Sequence, residues 1–321
     1  MVEWLFTTQF FCSYLTFYDS IGLSNMQYSY PKVTIGVCVR NCAETLREAI
    51  ASILEQTYPH NLMEVIFVDD GSIDETLGII KDFASKAQDF EIKIFHHNWK
   101  GLGYSRNLVV KNAKGKYIIW VDGDMILTKD FVENQVLYME RNSNVGIGKG
   151  KYGFRPQGRL VSDLENLEFI TANFKDPKKD LTPLGTGGAI YRVEAIKQVG
   201  GFDETLTGAG EDADIEYRIR KAGWILAITP AIFFERRRKT WRDLWREYFW
   251  HGEGGFRLYR KKTETKLWMF WPPLTLLTEF SRAVLAYKFT RHKIAFLLPF
   301  HYLYKRAAWV LGFMKEFIKS G

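Results

Sequence analysis

Between Pro31 and about Ile228 the chain alternates short apolar runs with amphipathic stretches of helical length, a pattern that restricts the fold more than any single motif. Apolar runs bounded by turn signals read as buried strands, and helix-spaced apolar residues between them read as covering helices. The order therefore predicts an α/β layer, a mostly parallel sheet with helices on both faces. VTIGVCV (Val33–Val39) is the first expected strand. Glu44–Gln56 follows as a helix with Leu46, Ile50, Ile53 and Leu54 on one face, stopping before Pro59. EVIFVDD (Glu64–Asp70) is the second strand, and Asp74 then caps a helix whose Leu77, Ile80 and Phe83 face inward. A strand at Glu91–Phe95, a helix at Ser105–Lys114 and the strand YIIWV (Tyr117–Val121) complete the series. Each βα pair takes about 30 residues, so the sheet is expected to be doubly wound and Rossmann-like. With 46% apolar and 25% charged residues, disorder, collagen and coiled coil are excluded. Cys12, Cys38 and Cys42 are too few for a disulfide framework, which points to a reducing, cytosolic setting.

Ligands of open α/β sheets sit beyond the carboxyl ends of the strands, so polar residues there are informative. The first strand ends in Arg40-Asn41, the second in Asp69-Asp70-Gly71-Ser72, and the Tyr117–Val121 strand in Asp122-Gly123-Asp124. One acidic strand end is commonplace as a turn or cap; three at one rim are not. The D-G-D triplet lets two carboxylates reach one divalent cation, and oxygen ligands of this kind suit Mg²⁺ or Mn²⁺ shared with substrate phosphates. A lone D-x-D is a weak signal and draws its value from this context. A second acidic cluster, Glu211-Asp212 in GAGEDADIEYRIRKAGW, opens a helix over Glu211–Ala222. Two readings stand there: complementing the helix dipole, or accepting a proton from a substrate hydroxyl. Upstream, LGTGGAIYR (Leu184–Arg192) is glycine-rich for a strand and implies close approach of backbone to a ligand.

In their order, VTIGVCVRN, VDDGSIDET, KGLGYSRNLVVKNAKGKYIIWVDGDM, LGTGGAIYR, GGFDE (Gly200–Glu204) and GEDADIEYRIRKAGW resemble the inverting family 2 glycosyltransferases with the GT-A fold. The resemblance covers roughly residues 31 to 255 and is specific at superfamily level; it carries little about which sugar moves. It implies that Val39 and Asn41, with Asp69 and Asp70, hold the nucleotide of a nucleoside-diphosphate sugar, and that Arg106 meets base or diphosphate. Asp122 would contact ribose or metal, Asp124 the metal, and Asp212 would be the general base with Glu211 assisting. One departure stands out. Where relatives commonly present a His in a run like H-R-R-R, this chain has Glu235 before Arg236–Arg238. Either Glu235 ligates the metal, or it pairs with those arginines and metal binding is weakened. The Arg236–Lys239 run reads more as a solvated or lipid-facing patch than a catalytic one, with one Arg reaching diphosphate as the rival. His251-Gly-Glu-Gly-Gly stands where such enzymes have a mobile loop over the donor, so its glycines suggest a hinge and His251 a packed side chain.

Two other classes compete with sugar transfer. A nucleotidylyltransferase would need a Gly-rich loop after the first strand, yet Val39-Arg40-Asn41-Cys42-Ala43 has no glycine. A non-catalytic sugar-nucleotide or membrane scaffold is disfavoured because Asp122, Asp124, Glu211 and Asp212 are all intact. A dehydrogenase fails because Gly101-x-Gly103 lacks the third glycine and follows the third strand.

Charge is unevenly placed. Residues 235–321 hold 19 Lys and Arg against 7 Asp and Glu, a net of +12, whereas the rest of the chain has 25 against 30. Trp241, Trp245, Trp250, Trp268, Trp271 and Trp309 lie in this basic region. Basic residues interleaved with aromatics suit an anionic bilayer surface, and aliphatic runs such as LLTEF and IAFLLPF argue against nucleic acid. The stretches Leu267–Thr278, Ala283–Tyr287 and Ile294–Leu303 fall short of the roughly 20 apolar residues of a spanning helix. Residues 256–321 are therefore expected to form amphipathic helices lying in the cytoplasmic membrane face, peripheral or monotopic. A helical cap on the α/β domain or an oligomer interface is the rival. The acceptor hydroxyl would then belong to a lipid-linked or polysaccharide-precursor molecule. Residues 1–30 form a leader without Lys or Arg, lacking a signal-peptide n-region; Trp4–Tyr18 reads either as a membrane-lying helix or as disorder before a start at Met26.

Overall fold

The computed structural model describes residues 30–87, 89–177, 179, 182–261 and 272–320. Lys32–Gly321 forms one compact unit; of the other, residues 1–31, only Tyr30 and Pro31 are described. The leader segment Trp4–Tyr18, and the tail from 262 to 271, lie outside the described residues.

Strands and helices alternate as the apolar pattern requires: β1 (Val33–Val39), α1 (Ala43–Leu54), β2 (Met63–Asp70), α2 (Thr76–Lys86), β3 (Glu91–His97), α3 (Leu102–Asn112) and β4 (Tyr117–Trp120). β1, β2 and β4 are buried along their whole length, as central parallel strands covered on both faces must be. Their register sets Val39 beside Asp69 and Gly36 beside Trp120. Gly36 is required at that point, because a Cβ there would stand 2.7 Å from the Trp120 ring, which is buried edge-on to Tyr191 and Phe202. Asp74 acts at two helix starts, accepting from Thr76 N of α2 at 3.1 Å and from Ala43 N of α1 at 3.1 Å.

Beyond β4 come β5 (Met125–Leu127), α4 (Phe131–Arg141), β6 (Val145–Tyr152), α5 (Leu160–Ala172), β7 (Ala189–Arg192), α6 (Val193–Gln198), α7 (Glu211–Lys221) and β8 (Ile225–Glu235). The eight strands run in the order β3-β2-β1-β4-β7-β6-β8-β5. The first four are parallel, whereas β7 is antiparallel to both neighbours and β5 is antiparallel to β8. The sheet is thus a parallel half joined to a mixed half.

The C-terminal region contributes α8 (Trp241–Arg260), α9 (Pro272–Thr290), a 3₁₀ turn (Lys293–Leu297) and α10 (Leu298–Ser320). Thr240 caps α8 by accepting from Asp243 N. The expected hinge at 251–255 is corrected here: these residues lie inside α8, and their glycines permit close helix packing. A Cβ at Gly252 would fall on Trp309 O, one at Gly255 on the Trp309 ring, and one at Gly312 of α10 on Phe249 O. Leu164 and Leu167 of α5 bury against Ala283, Ala286, Ala295 and Leu298, so the tail helices rest on the α/β layer. Among the described residues no helix is long and apolar enough to cross a membrane.

Candidate active site

The carboxyl ends of β1, β2 and β3 are bound to one another by side chains of the motifs that end them. Asn41 adopts φ 50°, a left-handed conformation that Asn tolerates better than most residues, and its Oδ1 accepts from Ile73 N at 2.9 Å. Asp69 is fully buried between Ser72 Oγ and His96 Nδ1, the latter at 2.7 Å. Asp70 accepts from Lys100 N at 2.7 Å and Gly101 N at 3.0 Å, which ties the loop after β3 to the end of β2. Val39 lies beside Asp69 and is itself buried.

Asp122 and Asp124 follow β4, both half-buried. Opposite them runs the glycine loop 184–188. A Cβ at Gly187 would collide with Asp122 Oδ2, and one at Gly185 would stand 3.7 Å from Asp212 Oδ2. The loop therefore has the D-G-D on one side and the start of α7 on the other, which explains its glycines by contact. Gly210, at φ 111°, turns the chain into α7 and presents Glu211 and Asp212 in its first turn. Glu211 is buried against Arg106, whose Nη1 donates to Glu211 Oε1, while Glu211 Oε2 has no hydrogen-bond partner among the described residues. Burial, only partly offset by Arg106 and reinforced by Asp212, pushes the Glu211 carboxyl up to about 7. Arg106 is 4% exposed, with its guanidinium over the Trp120 and Phe202 rings. Burial works against its charge, but Glu211, Asp122 and Asp212 outweigh it and leave it firmly cationic. Arg106 thus faces the acidic start of α7.

Glu235 ends β8 opposite Met125, beside the D-G-D, and Arg236 N donates to Asp124 O at 2.8 Å. Burial, then the charges of Glu235 and Asp122, push Asp124 up to about 7 against the pull of Arg238 and Arg237. Glu235 is raised by burial, partly offset by its ion pair with Arg237 and by Lys149. In the basic run Arg238 and Lys239 are exposed, as a solvated patch would be, while Arg237 turns inward, and every member is ion-paired within the fold. Arg236 grips Glu48 with two bonds of 2.7 and 2.8 Å, Arg237 lies 3.9 Å over the Phe169 ring, Arg238 pairs with Glu247 and Lys239 with Glu44. Asp122 and Asp124 make an oxygen donor set with surplus negative charge, which fits a hard divalent cation; Glu235 is engaged by Arg237. Among the described residues, three metal-capable side chains converge within 4.8 Å only at Glu165, Glu168 and His301. There the ammonium of Lys305 already lies 2.7 Å from Glu165 and 2.6 Å from Glu168.

Two buried residues that the motifs did not reveal belong to this site. Lys149, in the middle of β6, donates to Gly185 O at 3.3 Å and to Gly187 O, and so fixes the glycine loop from beneath. Glu216 accepts from Leu184 N at 2.9 Å and Gly185 N at 2.8 Å, and burial pushes it up to about 7. Glu216 lies one helical turn after Asp212, a spacing that signals a shared face; a lone Lys in VGIGKGKY offers no comparable signal.

Residues 34–200, more than half of the chain, match the family model for glycosyl transferase family 2. An uncharacterised glycosyltransferase of Rickettsia bellii is 34% identical over 209 residues, covering 59% of this chain and 27% of that protein. The chain spans about a quarter of the length of the Rickettsia relatives it matches. The poly-beta-1,6-N-acetyl-D-glucosamine synthase of Staphylococcus epidermidis is 24% identical, over 73% of this chain and 55% of its own length. Among solved structures, a mannosyltransferase from Pyrobaculum calidifontis in complex with GDP-Man and Mn²⁺ superposes with a TM-score of 0.65 at 18% identity, covering 91% of this chain and 89% of that one.

Proposed function

Because the chain belongs to glycosyltransferase family 2 and has the GT-A fold, we propose that it moves a sugar from a nucleoside-diphosphate sugar to an acceptor hydroxyl with inversion, dependent on Mg²⁺ or Mn²⁺. The observation that carries this reading is the glycine loop 184–188, which has Asp122 on one side and Asp212 on the other. A donor diphosphate at the D-G-D and an acceptor hydroxyl at α7 would then meet over a loop whose Gly185, Gly187 and Gly188 leave room for them. Asp212 takes the hydroxyl proton, the freed oxygen attacks the anomeric carbon in line, and the bond to diphosphate breaks. Asp122 and Asp124 would hold the cation, which supplies positive charge to the departing diphosphate. Arg106 orients the acidic start of α7 through Glu211, Lys149 and Glu216 fix the loop, and Asn41, Asp69 and Asp70 shape the nucleotide end. The nucleotide ligands of structural neighbours, GDP-Man and UDP, support the donor class and leave the sugar open.

The acceptor reading is a lipid-linked or polysaccharide-precursor hydroxyl at the cytoplasmic membrane face, with residues 31–255 catalytic and 256–321 docked on the bilayer. The polysaccharide-synthase relative and the outward apolar face of α10 support it. Screening nucleotide sugars for hydrolysis by the purified protein, with Mn²⁺ and with EDTA, tests the assignment. Metal-dependent release of a nucleoside diphosphate from at least one donor is expected. No release from any donor, or undiminished release in EDTA, refutes it.

A further inference from the structure

The rim formed by the ends of β1, β2 and β3 carries an exposed indole that packing does not explain. Trp99 is 51% exposed, while Trp120 in the same half of the sheet is 1% exposed. Its backbone is nonetheless among the most constrained on the rim. Asp70 holds the N–H groups of Lys100 and Gly101, immediately after it. From the other side Gly71, at φ 73°, presses so closely that a Cβ would stand 2.7 Å from Trp99 N. Arg40, the first residue after β1, brings its guanidinium carbon 5.5 Å from the indole centroid. A Trp fixed at its backbone, backed by a flat cation and open to solvent at the carboxyl ends of parallel strands is built to receive a flat partner.

We propose that Trp99, backed by Arg40, is the platform on which the nucleobase of the donor stacks. The proposal rests on the donor reading above and adds to it how the base is held. Both Asp69 and Asp70 already serve hydrogen bonds within the rim, to Ser72 and His96 and to Lys100 and Gly101. Affinity for the base therefore comes chiefly from the aromatic face, and Asp70 acts by positioning the loop that carries it. Stacking tolerates any base, because every base has a π-face.

Calorimetric titration of the full chain with UDP, GDP and inorganic pyrophosphate in Mn²⁺ tests this. Trp99→Ala is expected to weaken whichever nucleotide the unaltered protein binds by on the order of ten- to a hundredfold, with pyrophosphate binding unchanged. Trp99→Phe should restore most of the affinity, and Arg40→Met should lose severalfold. Equal nucleotide affinity in Trp99→Ala, or a parallel loss for pyrophosphate, overturns the platform and leaves the donor reading standing. The same holds if Trp99→Ala impairs only binding to anionic vesicles. If the unaltered protein binds neither nucleotide, the titration is extended to CDP, ADP and dTDP, and failure of all five refutes the donor reading itself. Trp99→Phe and Arg40→Met keep the platform testable should Trp99→Ala not fold.

Discussion

Asp212 and Glu216 share one face of α7 yet have opposite surroundings, and that contrast yields two tests. Asp212 is half-buried beside the glycine loop and, among the described residues, accepts only from Ala213 N in its own turn, which leaves it able to meet an acceptor hydroxyl. Asp212→Asn should lower turnover roughly a hundredfold or more while nucleotide affinity stays the same. Normal turnover, or a product with sugar attached directly to a lipid phosphate, would remove Asp212 from the base role, since an anionic acceptor needs none. Glu216 is fully buried and holds a proton up to about pH 7, against 4.5 for an ordinary Glu. A carboxyl whose pKa is raised by folding takes up a proton as the chain folds. Its contribution is therefore most favourable below about 4.5 and declines as pH rises through the window to about 7, by about 3 kcal/mol in all. Glu216→Gln should start less stable at pH 5, because an amide oxygen replaces two acceptors, and should lose less stability between pH 5 and 8 than the parent. Urea unfolding in EDTA at both pH values measures this; equal losses would place the titration elsewhere. The carboxylates of the D-G-D and of GED were legible because strand exits and helix starts are marked in the sequence. The pairing of Arg106 with Glu211 was not, since it joins residues 105 positions apart and needs the folded sheet to bring them together.

At the level of elements, what periodicity encodes was legible and what neighbours decide was not. The strands β1, β2 and β4 and the helices between them fall within a few residues of expectation, because a buried parallel strand is a continuous apolar run. β5 and β7, of three and four residues, are too short to carry a period, and their antiparallel pairing comes from the far half of the sheet. HGEGG illustrates the harder problem. A glycine cluster in a helix-length segment can mark a hinge or a close crossing, and only the partner helix distinguishes them. Here α8 and α10 approach until Gly252 meets Trp309 O and Gly312 meets Phe249 O. Gly252→Val should therefore destabilise by about 1–3 kcal/mol or more through overpacking. Gly78→Ala in the first turn of α2, where the nearest atom to a new Cβ is the far end of the Glu75 side chain at 3.3 Å, should instead stabilise by up to about 1 kcal/mol. Denaturant titration of both variants checks the pair. A harmless Gly252→Val would mean that the two helices are not held at this distance.

For the molecule as a whole, the decisive feature is that α10 is inverted relative to an ordinary surface helix. The face it turns to the protein carries His301, Lys305, Ala308 and Gly312, with Lys305 bonded to Glu165 and Glu168 of α5. The face it turns outward carries Phe300, Leu303, Val310, Leu311, Met314, Phe317 and Ile318, of which Phe300 and Ile318 are 70% and 71% exposed. Burying charge and exposing hydrocarbon is unfavourable in water, so the outward face is the one that a bilayer or a partner surface would cover. Phe280, Val284 and Phe289 of α9 and Phe296 of the 3₁₀ turn add to the exposed apolar residues, and the region from 235 onward carries a net +12. The sequence offered an in-plane membrane tail and a helical cap as rivals; the inner face of α10 packs on the α/β layer as a cap does, and the outward face is where the membrane proposal is tested. We expect the full chain to bind vesicles containing phosphatidylserine at low salt and to be released progressively by salt, with each surface-proximal Lys or Arg contributing about 1 kcal/mol. Replacing Phe300, Leu311 and Ile318 together with Ser should weaken vesicle binding by tenfold or more. Because each of these side chains is more than half exposed, nucleotide binding and the thermal midpoint should be preserved. Vesicle binding that survives the triple replacement, or a full chain that ignores anionic vesicles at low salt, would show that the outward face of α10 meets another protein surface instead of lipid.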